Sequence, residues 1–186
     1  MTTPQSILFV CLGNICRSPS AEAVMRAKLT KFLPDVYLDS AGTAGYHIGN
    51  PPDPRAITTG ESLGFKLSQL RARQVSLEDF YEFELIFAMD DANLSDLQTL
   101  KNTAMMHANG RDMAKLSLFD PEGRSVADPY YGDEQDFEQM YTHLQQIADR
   151  YITVWQLDHQ DSLAADWLIK PATAIMRPIA HQLTYS

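Results

Sequence analysis

Cys11 and Arg17 stand six residues apart in the run Val-Cys-Leu-Gly-Asn-Ile-Cys-Arg-Ser-Pro, from Val10 to Pro19. That spacing lets one loop present a thiol and a guanidinium to the same phosphate-sized anion, two of whose oxygens the planar fork of Arg17 can grip at once. The residues before the loop, Ser6 to Val10, form a short β-branched and aromatic run that fits a buried central strand. After it, Ser18 reads as an N-cap and Pro19 as a first helical position. The free N–H groups of such a helix point back at the loop, and the small Gly13 lets loop amides approach a ligand. Together these favour a thiolate at Cys11. A thiolate against a bound oxyanion is a nucleophile. A cysteine alone ending a strand would read as an inert packing residue, but Gly13, Asn14, Ser18 and Pro19 around it, between strand and helix, turn the reading towards chemistry.

The elements that must hold this loop follow in order along the chain. Ala21, Val24, Met25, Leu29 and Phe32 recur at helical spacing after Ser18, and Val36 to Ser40 reads as a second strand. Asp53 caps a helix with Pro54 in its first turn and Gly64 as its stop signal, and a short helix is expected from Ser76. Leu85 to Met89 is a third strand, Leu94, Leu97 and Leu100 mark a helix, and Leu116 to Phe119 is a fourth strand. From Asp133, Phe137, Met140, Tyr141, Leu144, Ile147, Ala148, Tyr151 and Ile152 keep a helical period over five turns. Alternating strands and helices imply an α/β fold: a doubly wound, four-stranded parallel sheet with helices on both faces and the phosphate-binding loop after the first strand.

The whole chain sets bounds on partners. Its 186 residues, 45% hydrophobic and 21% charged, make one ordinary globular domain that needs no disulfide or metal to fold. A net charge of −9 argues against nucleic acid, whose phosphate backbone demands a basic face. No stretch reaches the roughly 20 apolar residues of a membrane span. The two cysteines both lie in the loop and have no neighbouring ligands for a zinc site, so neither a metal nor another cofactor is expected. With no signal peptide read before the first strand, a reducing cytoplasm is the expected compartment. Five residues apart on a loop that curls on itself, Cys11 and Cys16 are also expected to form a protective disulfide under peroxide.

At these residues the chain resembles the low-molecular-weight protein tyrosine phosphatases, whose signature Val-Cys-x-Gly-Asn-x-Cys-Arg-Ser-Pro is matched in full. The likeness continues through Asp39–Thr43, Pro52–Ala56, Ala72–Val75, Ala88–Asp90 and Asp128–Gly132, and covers roughly the first 155 residues. The resemblance implies hydrolysis of phosphotyrosine in a phosphorylated protein through a phosphocysteine on Cys11. It implies Arg17 and the loop Leu12, Gly13, Asn14, Ile15, Cys16 and Ser18 as the phosphate cradle, and Asp128, in the turn Asp-Pro-Tyr-Tyr-Gly, as general acid. Asn14 is implied to bond Ser40, and Tyr46, Tyr130 and Tyr131 to wall a deep slot. His47, beside that wall, is expected to be solvated. The family's loop network often includes a histidine just before Ala-Arg-Gln, where Leu70 or Arg71 stands here, so a different brace is expected.

Three rivals share this scaffold or its cradle. An arsenate reductase needs cysteines after Cys16, and the chain has none. A protein-arginine phosphatase resembles a version with threonine where Ile15 stands. A silent phosphotyrosine-binding module would not need Cys11, Arg17 and Asp128 together.

The domain is expected to span residues 1–155, with 156–186 an extension of short helices. Leu163, Trp167 and Leu168 share a helical face after a Ser162 cap, Pro171 closes it, and Ala172, Ile175, Met176 and Ile179 repeat the spacing around Pro178. Few cations accompany this apolar content, so the extension is expected to fold back on the domain or mediate self-association. A chain stopped after Trp155 should therefore keep its turnover while losing stability or changing oligomeric state. Abolished turnover in a well-folded truncation, read by circular dichroism and rate assay, would place part of the site in the extension.

Overall fold

The strand that feeds the loop, β1 (Ser6–Cys11), is buried along its entire length because both its faces are covered. Ile7, Phe9 and Cys11 point into one core and Leu8 and Val10 into another, as the two-residue period of a strand requires. The computed structural model describes residues 3–31, 33–107 and 110–169. Four parallel strands, β1, β2 (Tyr37–Gly42), β3 (Leu85–Ala88) and β4 (Lys115–Leu118), lie in the order β2-β1-β3-β4. Cys11 is in register with Gly42, and Val10 with Ala88. The chain thus leaves β1 towards one edge and later returns to its other side. The crevice at the carboxyl end of β1 is the switch point where such sheets bind ligands.

Helix α1 (Arg17–Leu29) lies between the sheet and α5 (Glu134–Ile169), which is why every residue from Arg17 to Met25 is buried, polar ones included. Phe137, Met140, Tyr141, Leu144, Ile147, Ala148, Tyr151 and Trp155 carry the buried stripe of α5. Aromatic rings tie that stripe to the strands: Phe9 meets Phe119 edge-on at 5.2 Å, Phe87 meets Tyr151 at 5.1 Å, and Tyr151 stacks on Trp155 at 5.1 Å. On the opposite face, α3 (Asp79–Glu82) and α4 (Asp91–Met105) cover Leu8, Val10 and Ile86 with Phe80, Leu97 and Ala104.

Helix α2 (Pro54–Ser62) starts as its sequence predicts, with the Asp53 carboxylate accepting the Arg55 N–H at 2.8 Å, and ends at Gly64, whose φ of +88° suits glycine. Three expectations are corrected. Ser18 is not the cap of α1, which begins at Arg17 after Cys16 with no side-chain cap, because the Ser18 hydroxyl is recruited by the loop. Ser162 caps no new helix either, since α5 runs through it without a break. The short helix begins at Asp79 rather than Ser76, whose N–H instead donates to the Asp79 carboxylate at 2.7 Å. Residue 32 and residues 170–186, with Phe32 and the Pro171 to Ile179 pattern, lie outside the described residues.

Gly60 lies where α2 packs closely on Tyr141 of α5. A Cβ there would fall 2.6 Å from Leu67 Cδ1 and closer still to the Tyr141 hydroxyl, which donates to the Ala56 carbonyl at 2.8 Å and accepts from Ser20 at 2.9 Å. Alanine would gain roughly 1 kcal/mol of helix propensity but must push two buried side chains aside. Gly60→Ala should therefore destabilise the fold by about 1–3 kcal/mol in urea titration. Unchanged or increased stability would show that this contact relaxes freely.

Candidate active site

Leaving β1 at Cys11, the chain coils back on itself before entering α1, and Asn14 makes the reversal possible. It adopts φ +56°, a left-handed conformation that asparagine tolerates better than most residues. Its backbone N–H donates to Cys11 Sγ at 3.3 Å. The Ser18 hydroxyl lies 3.1 Å from the same sulfur and 3.2 Å from the Ala41 carbonyl. Cys16, which also lines the floor of the crevice, is buried, and that burial, with Asp53 and Cys11 nearby, pushes its thiol far up. At neutral pH Cys16 is a thiol.

Arg17, the first residue of α1, is 3% exposed and turns its guanidinium towards the crevice. One terminal nitrogen pairs with Asp90 and donates to the Val126 carbonyl at 3.3 Å; the other donates to Asp128 Oδ2 at 2.7 Å. Burial alone would lower the pKa of Arg17, but Cys11, Asp90 and Asp128 more than offset it and raise it. Asp128 reaches this position on a strap that follows β4. The Val126 N–H donates to the Met89 carbonyl at 2.7 Å, and Asp128 Oδ1 accepts the Tyr130 N–H at 3.1 Å, so Asp128 is turn former and Arg17 partner at once.

The brace behind the loop is a chain of buried side chains. Asn14 Nδ2 donates to Ser18 Oγ at 2.9 Å and to Ser40 Oγ at 3.0 Å, and its Oδ1 accepts the Arg73 N–H at 2.9 Å. Ser40 in turn donates to Glu22 at 2.7 Å, and Glu22 is held by Arg26. Burial raises the Glu22 pKa, partly countered by the Arg26 and Ser40 hydrogen bonds. The network needs no histidine before Ala72: the Glu22 carboxylate takes the far end of the chain.

A cavity of ≈ 250 Å³ opens over the sulfur. Leu12, Gly13, Ile15 and Arg17 line it along the loop, and Tyr46, His47, Asp128, Tyr130 and Tyr131 around the mouth. Tyr130 is exposed, and Tyr46 and Tyr131 stand out further in solvent at the rim. His47 is a correction to the solvated reading: its ring lies against Gly13, where an added Cβ would sit 3.1 Å from Cδ2. Asn14, Ser18 and Ser40 lie behind the loop and shape it.

Asp90, Glu22 and Arg55 were not singled out as functional residues from the sequence. Asp90 had a signal: it follows the strand next to β1, so it must emerge at the same carboxyl edge as Cys11. Glu22 had only its place in an otherwise apolar helical stretch.

The family model for the low molecular weight phosphotyrosine protein phosphatases matches residues 6–162. The human low molecular weight phosphotyrosine protein phosphatase is 44% identical over 140 residues, 74% of this chain and 87% of the relative. A protein tyrosine phosphatase from Entamoeba histolytica superposes with a TM-score of 0.71 at 33% identity, over 84% of this chain and 99% of that one. The Drosophila arginine phosphatase superposes with a TM-score of 0.73 at 31% identity, over 80% and 96%. With its signature loop, sheet order and match over most of its length, the chain belongs to the low molecular weight phosphotyrosine protein phosphatase family.

Proposed function

We propose that this protein hydrolyses phosphotyrosine in phosphorylated proteins, with Cys11 as nucleophile, Arg17 as phosphate clamp and Asp128 as general acid and base. The observation that carries the reading is the convergence of the Cys11 sulfur, the Arg17 fork and the Asp128 carboxylate on one aromatic-rimmed cavity. An entering phosphate offers two oxygens to the fork that Asp90 and Asp128 now occupy. It competes with Asp128 for Arg17 and frees that carboxyl to face the ester oxygen.

The Cys11 thiolate attacks phosphorus, an S–P bond forms, the P–O bond to tyrosine breaks, and Asp128 gives its proton to the departing phenoxide. Loop amides and Arg17 hold the charge on the equatorial oxygens throughout. A water then attacks the phosphocysteine while Asp128 takes its proton, the S–P bond breaks, and phosphate leaves with the thiolate restored. Leu12, Ile15, Tyr46 and Tyr130 offer apolar surface to an aryl ring, and Ile15 gives no hydroxyl to a guanidinium, which favours tyrosine over arginine as substrate.

Among the described residues no helix is long and apolar enough to cross a membrane. A reactive thiolate is best kept in a reducing compartment, which supports the cytoplasm as the site of action. Residues 156–186 are proposed as an extension to a domain ending near 155, packing on that domain or on a second copy. Its apolar content supports this.

Cys11→Ser should abolish turnover of aryl phosphates yet still bind inorganic phosphate, and residual turnover in that variant would overturn the nucleophile. Asp128→Asn should slow phenyl phosphate hydrolysis by about 10²–10⁴ and p-nitrophenyl phosphate by much less, because the latter leaves without a proton. Equal losses on both would remove Asp128 as the acid.

The same loop is proposed to resist oxidation: peroxide takes the Cys11 thiolate to a sulfenic acid, and the Cys16 thiol condenses with it, releasing water. Because burial holds Cys16 as a thiol, iodoacetate at neutral pH should label Cys11 alone, with inorganic phosphate protecting it. Mild peroxide should give a Cys11–Cys16 disulfide by mass spectrometry, reversed by reductant, while Cys16→Ser should oxidise less reversibly. Labelling of Cys16, or no disulfide, would refute this division of roles.

A further inference from the structure

We infer that Arg55 is a positioning residue for the substrate slot, joining the strap Asp128–Gly132 to the nucleophile loop and so setting where the aromatic wall stands over Cys11. The inference rests on the phosphotyrosine reading above and specifies what holds its pocket open.

Arg55 is not among the residues lining the cavity. Each edge of its guanidinium is committed to one side of the site. On one edge, Nε donates to Asp53 Oδ1 at 3.0 Å and a terminal nitrogen to Asp53 Oδ2 at 2.9 Å. Asp53 is itself fastened to the nucleophile loop, its N–H donating to the Ile15 carbonyl at 2.8 Å. On the other edge, the terminal nitrogens donate to the carbonyls of Tyr130, at 2.9 Å, and Gly132, at 3.0 Å. The guanidinium carbon lies 4.6 Å from the ring centre of Phe137 and 5.9 Å from that of Tyr130. The carbonyls it grips flank Tyr131, and the turn between them is closed by the Gly132 N–H on the Pro129 carbonyl at 2.9 Å.

A half-exposed ion pair contributes little to stability by itself. The significance of Arg55 is geometric: five donors in a rigid plane span the gap between Asp53 and two strap carbonyls, a distance a single ammonium cannot bridge. The strap is then held at both ends, by Arg17 at Asp128 and by Arg55 at Tyr130 and Gly132. Phosphate alone needs only the cradle, whereas an aryl group also needs the wall. Arg55 should therefore affect aryl ligands and spare the bare anion.

Calorimetric titration of the full chain with inorganic phosphate and with benzylphosphonate reads this difference without requiring turnover. In Arg55→Ala and Arg55→Lys, benzylphosphonate affinity should fall about tenfold, as for loss of a charge-assisted hydrogen bond, while phosphate affinity changes less than about twofold. Asp53→Asn keeps the α2 cap and the guanidinium but weakens their pairing. It should move the ratio the same way by less, and it decides the matter if Arg55→Ala does not fold. An unchanged ratio, or equal losses for both ligands, would overturn the inference and leave Arg55 a structural residue. A wild-type chain that binds benzylphosphonate no better than phosphate has no slot to hold and would overturn it too. Wild-type turnover of aryl phosphate, measured separately, reports on the hydrolase reading alone.

Discussion

A guanidinium buried at the carboxyl end of a parallel sheet has to be balanced where it stands, and Arg17 imposes that requirement on the whole active face. Uncompensated, such a charge would cost several kcal/mol. Its partners come from three separate places in the sequence: Asp90 after β3, Val126 and Asp128 on the strap, and Cys11 at the end of β1. The order β2-β1-β3-β4 brings the first and last of these side by side, because β3 pairs directly with β1. The burial of α1 between sheet and α5 then fixes where the guanidinium points.

The loop around the sulfur is held in a shape that no substrate is needed to induce. Asn14 accepts left-handed backbone geometry, and both ends of its amide are used, on Ser18 and Ser40 and on the Arg73 N–H. Asn14, Ser18, Ser40 and Glu22 each find partners in this network, so it rigidifies the loop where a partly satisfied one would destabilise it. The Asn14 N–H therefore already points at the Cys11 sulfur, a donor set in place without reorganisation.

Much of this was legible in the residues. The alternation in β1, the long period of α5 and the Asp53 and Gly64 signals that bound α2 are local, and local patterns survive in the fold. Cys11 and Arg17 share one short run, so their meeting could be read from spacing. What escaped was of two kinds. Ser18 looks like an N-cap by type, but a hydroxyl beside a cysteine sulfur and an asparagine amide is used there, and α1 starts two residues early without a side-chain cap. His47, Glu22 and Arg55 make tertiary contacts that periodicity does not encode: loop 43–52 brings His47 against Gly13, β2 brings Ser40 to Glu22, and α2 brings Arg55 to the strap.

The charges gathered at the crevice make Arg17 the shared counter-ion of two acids that are held differently. Asp90 and Asp128 both pair with its guanidinium, and the nearby Cys11 adds to the raised pKa of Arg17. Asp90 is the more buried of the two acids and also accepts the Asn93 N–H that caps α4, so its place is fixed from two sides. Asp128 is half-exposed and stands on the strap, held by Arg17 and by the Tyr130 N–H. An anion drawn to the Arg17 fork therefore displaces Asp128 before Asp90, because the exposed contact is the one that water already screens and its loss leaves no helix cap unpaired.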